Sequence, residues 1–334
     1  MKKKYAITGL VVICVLVLGS GLALAANNFS APPEAVLFAE GLDGATGMGS
    51  TIGPGGALYV TEAAAGRISR VDPKTAEVTV FASGLPQGST EIGIGGVMDV
   101  AFIGDTAYAL VTLVSEDVGG SDVDGIYRID GPDRFTVIAD IGQFASDNPP
   151  STGYFVPTGV QYALETFRGG FLVTDGHHNR MLRVTLDGQV SELIAFDNIV
   201  PTGLAISGNT IYMAEAGPVP HEPQNGKIVS FGPDAASVSE VASGARLNLD
   251  VEFGRGRTLY ALSQGIWNGA GEGSPAEPGT GALLEVNSDG TFSVVMDGLN
   301  QPTSVEFIGN TAYVVNLAGE IWKINPVSAP PFGR

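Results

Sequence analysis

Cysteine is almost missing: Cys14 is the only one in 334 residues, and it lies in the apolar N-terminal segment. The rest of the chain therefore has no disulfide, no thiolate nucleophile and no cysteine metal ligand, and must hold together through its core. Basic residues are scarce too. Lys and Arg total 17 against 35 Asp and Glu, a formal net charge of −18. Such a surface repels phosphate backbones and anionic lipid, so neither nucleic acid nor a membrane surface is an expected partner. Charged residues make up only 16% of the chain, too few for a disordered polyampholyte or a coiled coil. No apolar run after residue 25 approaches the ~18 residues of a membrane span. Gly-x-Ser-x-Gly, Gly-Lys-Ser/Thr and H-E-x-x-H are all absent, which argues against a nucleophile-elbow hydrolase, a phosphate-cradling loop and a zincin.

Residues 1–25 combine Lys2, Lys3 and Lys4, an apolar run from Ala6 to Leu18, and Ala23 and Ala25 in A-x-A spacing. This is the pattern of a signal peptide cut after Ala25, with no lipobox cysteine, and it implies a secreted or periplasmic protein. An uncleaved N-terminal anchor is the alternative if Leu22–Ala26 extend the run. Residues 26–34 read as a linker and 328–334 as a Pro-rich tail.

Between them one unit recurs six times. PTGVQYAL (157–164), PTGLAISG (201–208) and PTSVEFIG (302–309) are close copies, and ATGMGSTI (45–52), VMDVAFIG (97–104) and NLDVEFGR (248–255) are looser ones. Each precedes a second short strand pattern such as ALYVTE, TIYMAE or TAYVVN, and a third such as GRISRV or EIWKIN. Fourth strands number five for six units, while AVLFAEGLDG (35–44) resembles a fourth strand with nothing before it. An N-terminal strand completing the C-terminal sheet closes a ring and removes two sheet edges. The chain is therefore expected to be all-β: a six-bladed β-propeller of four-stranded blades over 35–327. A monomer is expected.

The two-residue strand period sorts the innermost strands into two columns. Met48, Val100, Val160, Leu204, Val251 and Val305, followed by Ser50, Phe102, Tyr162, Ile206, Phe253 and Phe307, are expected between blades. Gly47, Asp99, Gly159, Gly203, Asp250 and Ser304, then Gly49, Ala101, Gln161, Ala205, Glu252 and Glu306, are expected to face the central channel. Asp99, Asp250, Glu252 and Glu306 would meet there without a basic neighbour. Ca²⁺ or another divalent cation would suit that oxygen set, and a hydrated acidic channel is the alternative. Asp122-Val123-Asp124-Gly125 looks like a calcium loop but lacks the downstream Glu, so a solvated turn is expected.

Long connections gather between second and third strands and between blades, on one face of the ring, where binding is expected. All three histidines fall there: His177 and His178 in TDGHHNR, and His221 in AEAGPVPHEPQNG. With Glu215 they are candidate acid–base groups, and with neighbouring carboxylates a candidate transition-metal set; polar turn residues are the structural alternative. Asp175, Asn179, Gln264 and Trp267 are candidate ligand contacts, Trp267 as a stacking platform.

The blade units resemble those of NHL-repeat and streptogramin-lyase-like propellers. DGHHNRMLRV, IVPTGLA, AEAGPVPH, ALSQGIWNGAGEGSPA and PTSVEFIGNTAYVV resemble the ScyD/ScyE family more narrowly, over nearly the whole mature chain. That resemblance implies an exported propeller with an accessory role in extracytoplasmic assembly of a scytonemin-like indolic-phenolic pigment, binding a small molecule or a protein. It carries over no catalytic residues. A metal-dependent hydrolase or lyase, like gluconolactonase-type propellers, is the competing expectation.

Overall fold

The computed structural model describes residues 31–329. The expected signal peptide, most of the expected linker and the end of the Pro-rich tail lie outside the described residues. Twenty-four strands form six four-stranded antiparallel sheets, each running outward from an inner strand. The inner strands of blades 1 to 6 are Ser50–Ile52, Gly96–Ile103, Gln161–Phe167, Pro201–Ser207, Asn248–Phe253 and Pro302–Ile308. One short α-helix, Ile141–Asp147, lies in the connection from blade 2 to blade 3. Among the described residues no helix is long and apolar enough to cross a membrane.

Ring closure takes the expected form. Glu34–Ala39 pairs antiparallel with Ile321–Asn325, matching Ala35 to Ile324 and Leu37 to Trp322. It becomes the outer strand of a blade whose other three strands come from the far end of the chain. Phe38 packs edge-on to Tyr313 at 5.4 Å, and Lys323 Nζ sits 4.6 Å from the Phe38 ring centre.

Each blade junction is an apolar cluster. Tyr59, Ile68, Val100, Val111 and Tyr127 join blades 1 and 2, and Leu110, Ile126, Leu164, Phe171 and Leu182 join blades 2 and 3. Tyr313, Val315, Val60 and Met48 close blade 6 on blade 1. A fully buried side chain of this size contributes ~1.5–3 kcal/mol. The ring is thus a chain of six interfaces, each needing its neighbours.

Pairing register decides which side chains reach the channel. Five inner strands carry a register shift at the end nearer the long loops, between Gln161 and Leu164 in blade 3 for example. Blade 4 carries the same shift as blade 3 and lies as expected, so the two blades that differ were misplaced by the alignment of the repeats. Leu164 pairs with Val173 as Val305 pairs with Val314, so blade 3 is offset by four residues from the expected alignment. Blade 1 is offset by two, since Ser50 pairs with Val60. The hydrogen bonds agree: Gly49 N–H donates to Thr61 Oγ1 (2.7 Å) in blade 1 as Ala163 N–H donates to Thr174 Oγ1 (3.0 Å) in blade 3. The channel rows are accordingly Gly49, Asp99, Ala163, Gly203, Asp250 and Ser304, then Thr51, Ala101, Glu165, Ala205, Glu252 and Glu306. Ser50 takes the interblade place expected of Met48, Val160 leaves that column, and Gly47, Gly159 and Gln161 leave the channel rows. Tyr162, expected between blades, instead reaches across the channel and donates its hydroxyl to the Thr303 carbonyl of blade 6 (3.3 Å).

Removing residues 34–39 is expected to strip blade 6 of its outer strand and expose Ile321 and Ile324. Hydrogen exchange of 311–325 should accelerate sharply, with a lowered melting temperature. Unchanged protection there would refute closure by this strand.

Candidate functional site

The inner-strand acids sit where small neighbours make room. A Cβ on Gly49 would meet Asp99 Oδ1 at 2.7 Å, and one on Gly203 would meet Asp250 Oδ1 at 2.5 Å. Asp99 Oδ2 accepts from Leu164 N–H of the next blade (2.8 Å) and Oδ1 from Val100 N–H (2.8 Å). Asp250 repeats this three blades on, accepting from Val305 N–H (2.8 Å) and Val251 N–H (2.9 Å). Both aspartates are latches between neighbouring inner strands. Below them Glu165 accepts from Thr166 N–H (2.8 Å) and Glu252 from Phe253 N–H (2.7 Å), while Glu306 has no hydrogen-bond partner.

Burial lifts all five carboxyls above the ordinary range. Glu165 and Asp250 are each pushed up to about 7. Asp99, Glu252 and Glu306 are raised well above the ordinary range, by burial first and also by the charge of the other channel acids. Glu165 escaped the sequence reading because blade 3 was aligned on Pro157-Thr158-Gly159; alignment on the second strand, Gly170–Asp175, would have found it. Among the described residues no three His, Cys, Asp or Glu side chains are gathered to hold a metal ion. Both oxygens of Asp99 and of Asp250 already accept from backbone N–H groups.

Above this floor a cavity of about 890 Å³ opens toward the long loops. Its wall includes Asp99, Asp250, Glu252, Glu306, His177, Asn179, His221 and Gln264, and also Glu165, Tyr162 and Glu272. It includes neither His178, Asp175, Glu215 nor Trp267. Among the described residues no Lys or Arg lines it.

TDGHHNR works mainly as the anchor of this wall. His178 is buried; its Nε2–H donates to the Val156 carbonyl (2.9 Å), and its Nδ1 lies 3.0 Å from the Arg180 guanidinium. Asp175, also buried, lies 3.1 Å from His178 Nδ1 and 3.3 Å from Arg180 Nε. Burial alone would raise the Asp175 carboxyl, but His178, Arg180 and the Val160 N–H together hold it below the ordinary value. Arg180 also donates to the Asn148 carbonyl (2.8 Å). His177 Nε2 accepts from the N–H groups of Phe155 (2.9 Å) and Val156 (3.1 Å). Burial, then the neighbouring His178, lowers its pKa. This network presents Tyr154 and Phe155 at the mouth, Phe155 being 68% exposed.

Other nominated residues act alike. Asn179, at φ +54°, accepts through Oδ1 from Ile199 and Val200 N–H (both 2.9 Å). Gln264 accepts from Ala276 N–H (2.8 Å). Trp267 donates to Ser274 Oγ (2.8 Å) and stands edge-on to His221 at 6.1 Å, so it braces the loop over 264–281. Glu215 is buried at the end of its strand, opposite Lys227, and burial lifts it to about 7. Asp124 is buried, accepting from Val114 N–H (2.9 Å) and Ser115 Oγ (2.5 Å), while Asp122 is exposed.

His221 differs. Its Nδ1–H donates to the Ala216 carbonyl (3.2 Å) from a left-handed backbone at φ +58°, which leaves the lone pair on Nε2. Burial lowers its pKa, partly opposed by the Ala216 and Gly217 carbonyls. Glu272, on the Trp267 loop but not among the expected site residues, exerts its charge on both His177 and His221.

With the geometry known, comparison with solved structures places the chain among β-propellers. A gluconolactonase from Xanthomonas campestris superimposes with TM-score 0.60 at 13% identity, covering 87% of this chain and 89% of that one. The PQQ-bound aldose sugar dehydrogenase of Streptomyces coelicolor gives 0.60 at 14%, covering 88% and 98%. Virginiamycin B lyase of Staphylococcus aureus, in a catalytically inactive form with quinupristin, gives 0.54 at 15%, covering 87% and 99%. Identities this low establish the fold and nothing finer. No family model and no curated protein matches the sequence.

Two outcomes follow. Raised carboxyl pKa values mean that the folded state keeps protons the unfolded chain has lost. That stability is whole below the ordinary carboxyl pKa of about 4 and falls as pH rises toward 7 and beyond. Asp175 and Glu62, both depressed, act oppositely and lose their contribution below about pH 4. The melting temperature should therefore peak near about pH 5 and decline to about pH 8. Glu252→Gln and Glu306→Gln should flatten the decline; a melting temperature that climbs through this range would be incompatible. Separately, Arg180→Met leaves Asp175 buried without its guanidinium and should cost about 3–5 kcal/mol in urea unfolding.

Proposed function

We propose that this chain is an exported ligand-binding propeller of the ScyD/ScyE type, taking a small aromatic molecule through its long-loop face in an accessory role in extracytoplasmic pigment assembly. The observation that carries the reading is the cavity of about 890 Å³ beneath those loops, with Tyr154, Phe155, Ile92 and Ile94 around its mouth. Its volume lies in the range of about 300–1,000 Å³ typical of sites for drug-sized molecules. The apolar mouth supplies binding energy, and the anchors His177, His178 and Asn179 hold it preformed, so little ordering entropy opposes entry.

An enzymatic reading, hydrolase or lyase, draws on His177 and His221, two imidazoles kept neutral by burial on the cavity wall. His221 offers Nε2 as a base, with Glu272 placed to stabilise the imidazolium after proton uptake. The same fold in a lyase and a gluconolactonase is consistent with this reading.

The neutral phenol tyrosol separates binder from non-binder. Equilibrium dialysis should give saturable one-to-one binding, weakened several-fold by Phe155→Ala with the melting temperature unchanged, because that ring is mostly exposed. No saturable binding, or no effect of Phe155→Ala, would refute the cavity reading. Glucono-δ-lactone probes the enzymatic one. If it is hydrolysed, His221→Ala should lower kcat by ~10²–10⁴ in a folded protein, and an intact kcat would remove His221 from the chemistry.

A further inference from the structure

The cavity has opposed ends. Its mouth is aromatic and aliphatic, while its floor holds Asp99, Glu165, Asp250, Glu252 and Glu306. No Lys or Arg on the wall offsets them. Four of these carboxyls are tied to backbone N–H groups. Glu306 is not. It projects from the inner strand of blade 6, is half-buried in the channel, and has no hydrogen-bond partner within the protein. A carboxyl facing the cavity without a protein partner is open to a ligand that supplies a donor or a positive charge. Tyr162 narrows the passage between mouth and floor by reaching to the Thr303 carbonyl, so a slender group passes more readily than a ring system.

We propose that the cavity selects an aromatic amine, its ring held at the mouth against Tyr154 and Phe155 and its ammonium group directed down the channel to Glu306. This rests on the reading of the cavity as a ligand site and specifies the ligand's charge. A primary ammonium has three N–H donors on a narrow stem, matching an unpartnered carboxyl with Glu252 and Asp250 nearby. A carboxylate or phosphate ligand would meet five acids and no counter-charge, so anions are rejected by repulsion rather than by shape. The two neutral histidines of the wall leave that balance unchanged. An incoming cation also favours ionised carboxyls, so binding releases protons from the floor.

Three probes of nearly one shape test this: tyramine, tyrosol and 4-hydroxyphenylacetate, which carry positive, zero and negative charge at about pH 7.5. Calorimetric titration of the full protein should show tyramine at least tenfold tighter than tyrosol, and 4-hydroxyphenylacetate weakest. The binding enthalpy of tyramine alone should depend on the buffer's ionisation enthalpy, the mark of proton release. Glu306→Gln should remove the preference for tyramine and leave tyrosol binding as it was. Glu91→Gln, which removes the same charge from the exposed surface near the mouth, should leave the preference intact. Equal binding of all three probes, or a preference that survives Glu306→Gln, would overturn the amine proposal and leave the ligand site standing. Failure of all three to bind would overturn both.

Discussion

A ring must close, and that constraint governs the rest of this molecule. Each blade is a twisted sheet with an exposed inner and outer edge. Only when every blade meets two neighbours are its faces covered, and only the pairing of Glu34–Ala39 with Ile321–Asn325 lets the last blade meet the first. With one cysteine in the whole chain, no covalent tie can substitute. The six apolar junctions are therefore interdependent.

Closure also creates the chemistry. Six inner strands brought round one axis leave a narrow channel, and whatever their sequences put on the inward side is concentrated there. Small residues at Gly49, Ala163 and Gly203 let the strands approach, and Asp99 and Asp250 use the proximity to bond to the next blade. These two aspartates lie three blades apart and do the same work on opposite sides of the ring. The cost is a set of carboxyls that cannot all ionise near pH 7, since desolvation and mutual repulsion both favour the proton.

The loop face follows a different rule. Its polar residues mostly satisfy the backbone of long connections, which would otherwise bury unpaired N–H and C=O groups. His177 takes two backbone N–H groups, His178 one carbonyl and Asn179 two N–H groups. By fixing the loops they keep Tyr154 and Phe155 at the mouth and the cavity open. A histidine pair that looks reactive in a sequence is here mainly the foundation of an apolar rim, while His221 spends Nδ1 on the Ala216 carbonyl and keeps Nε2 off the backbone.

The sequence by itself determined the ring: repeats of one unit, a stray fourth strand at the start and a missing one at the end leave little choice but a propeller closed by its N-terminus. It also determined which face carries the loops, because loop length is additive along the chain. The channel lining was half legible. Asp99, Asp250, Glu252 and Glu306 follow from the repeat alignment, whereas Glu165 and Tyr162 were hidden because the Pro-Thr-Gly copy of blade 3 stands four residues out of register with that of blade 4. Register is decided by pairing with the second strand, which a copied tripeptide does not encode. The roles of the histidines lay beyond the sequence for a related reason. Whether an imidazole faces a cavity or a backbone carbonyl depends on the path of a loop from another blade, and only the folded ring brings the two together.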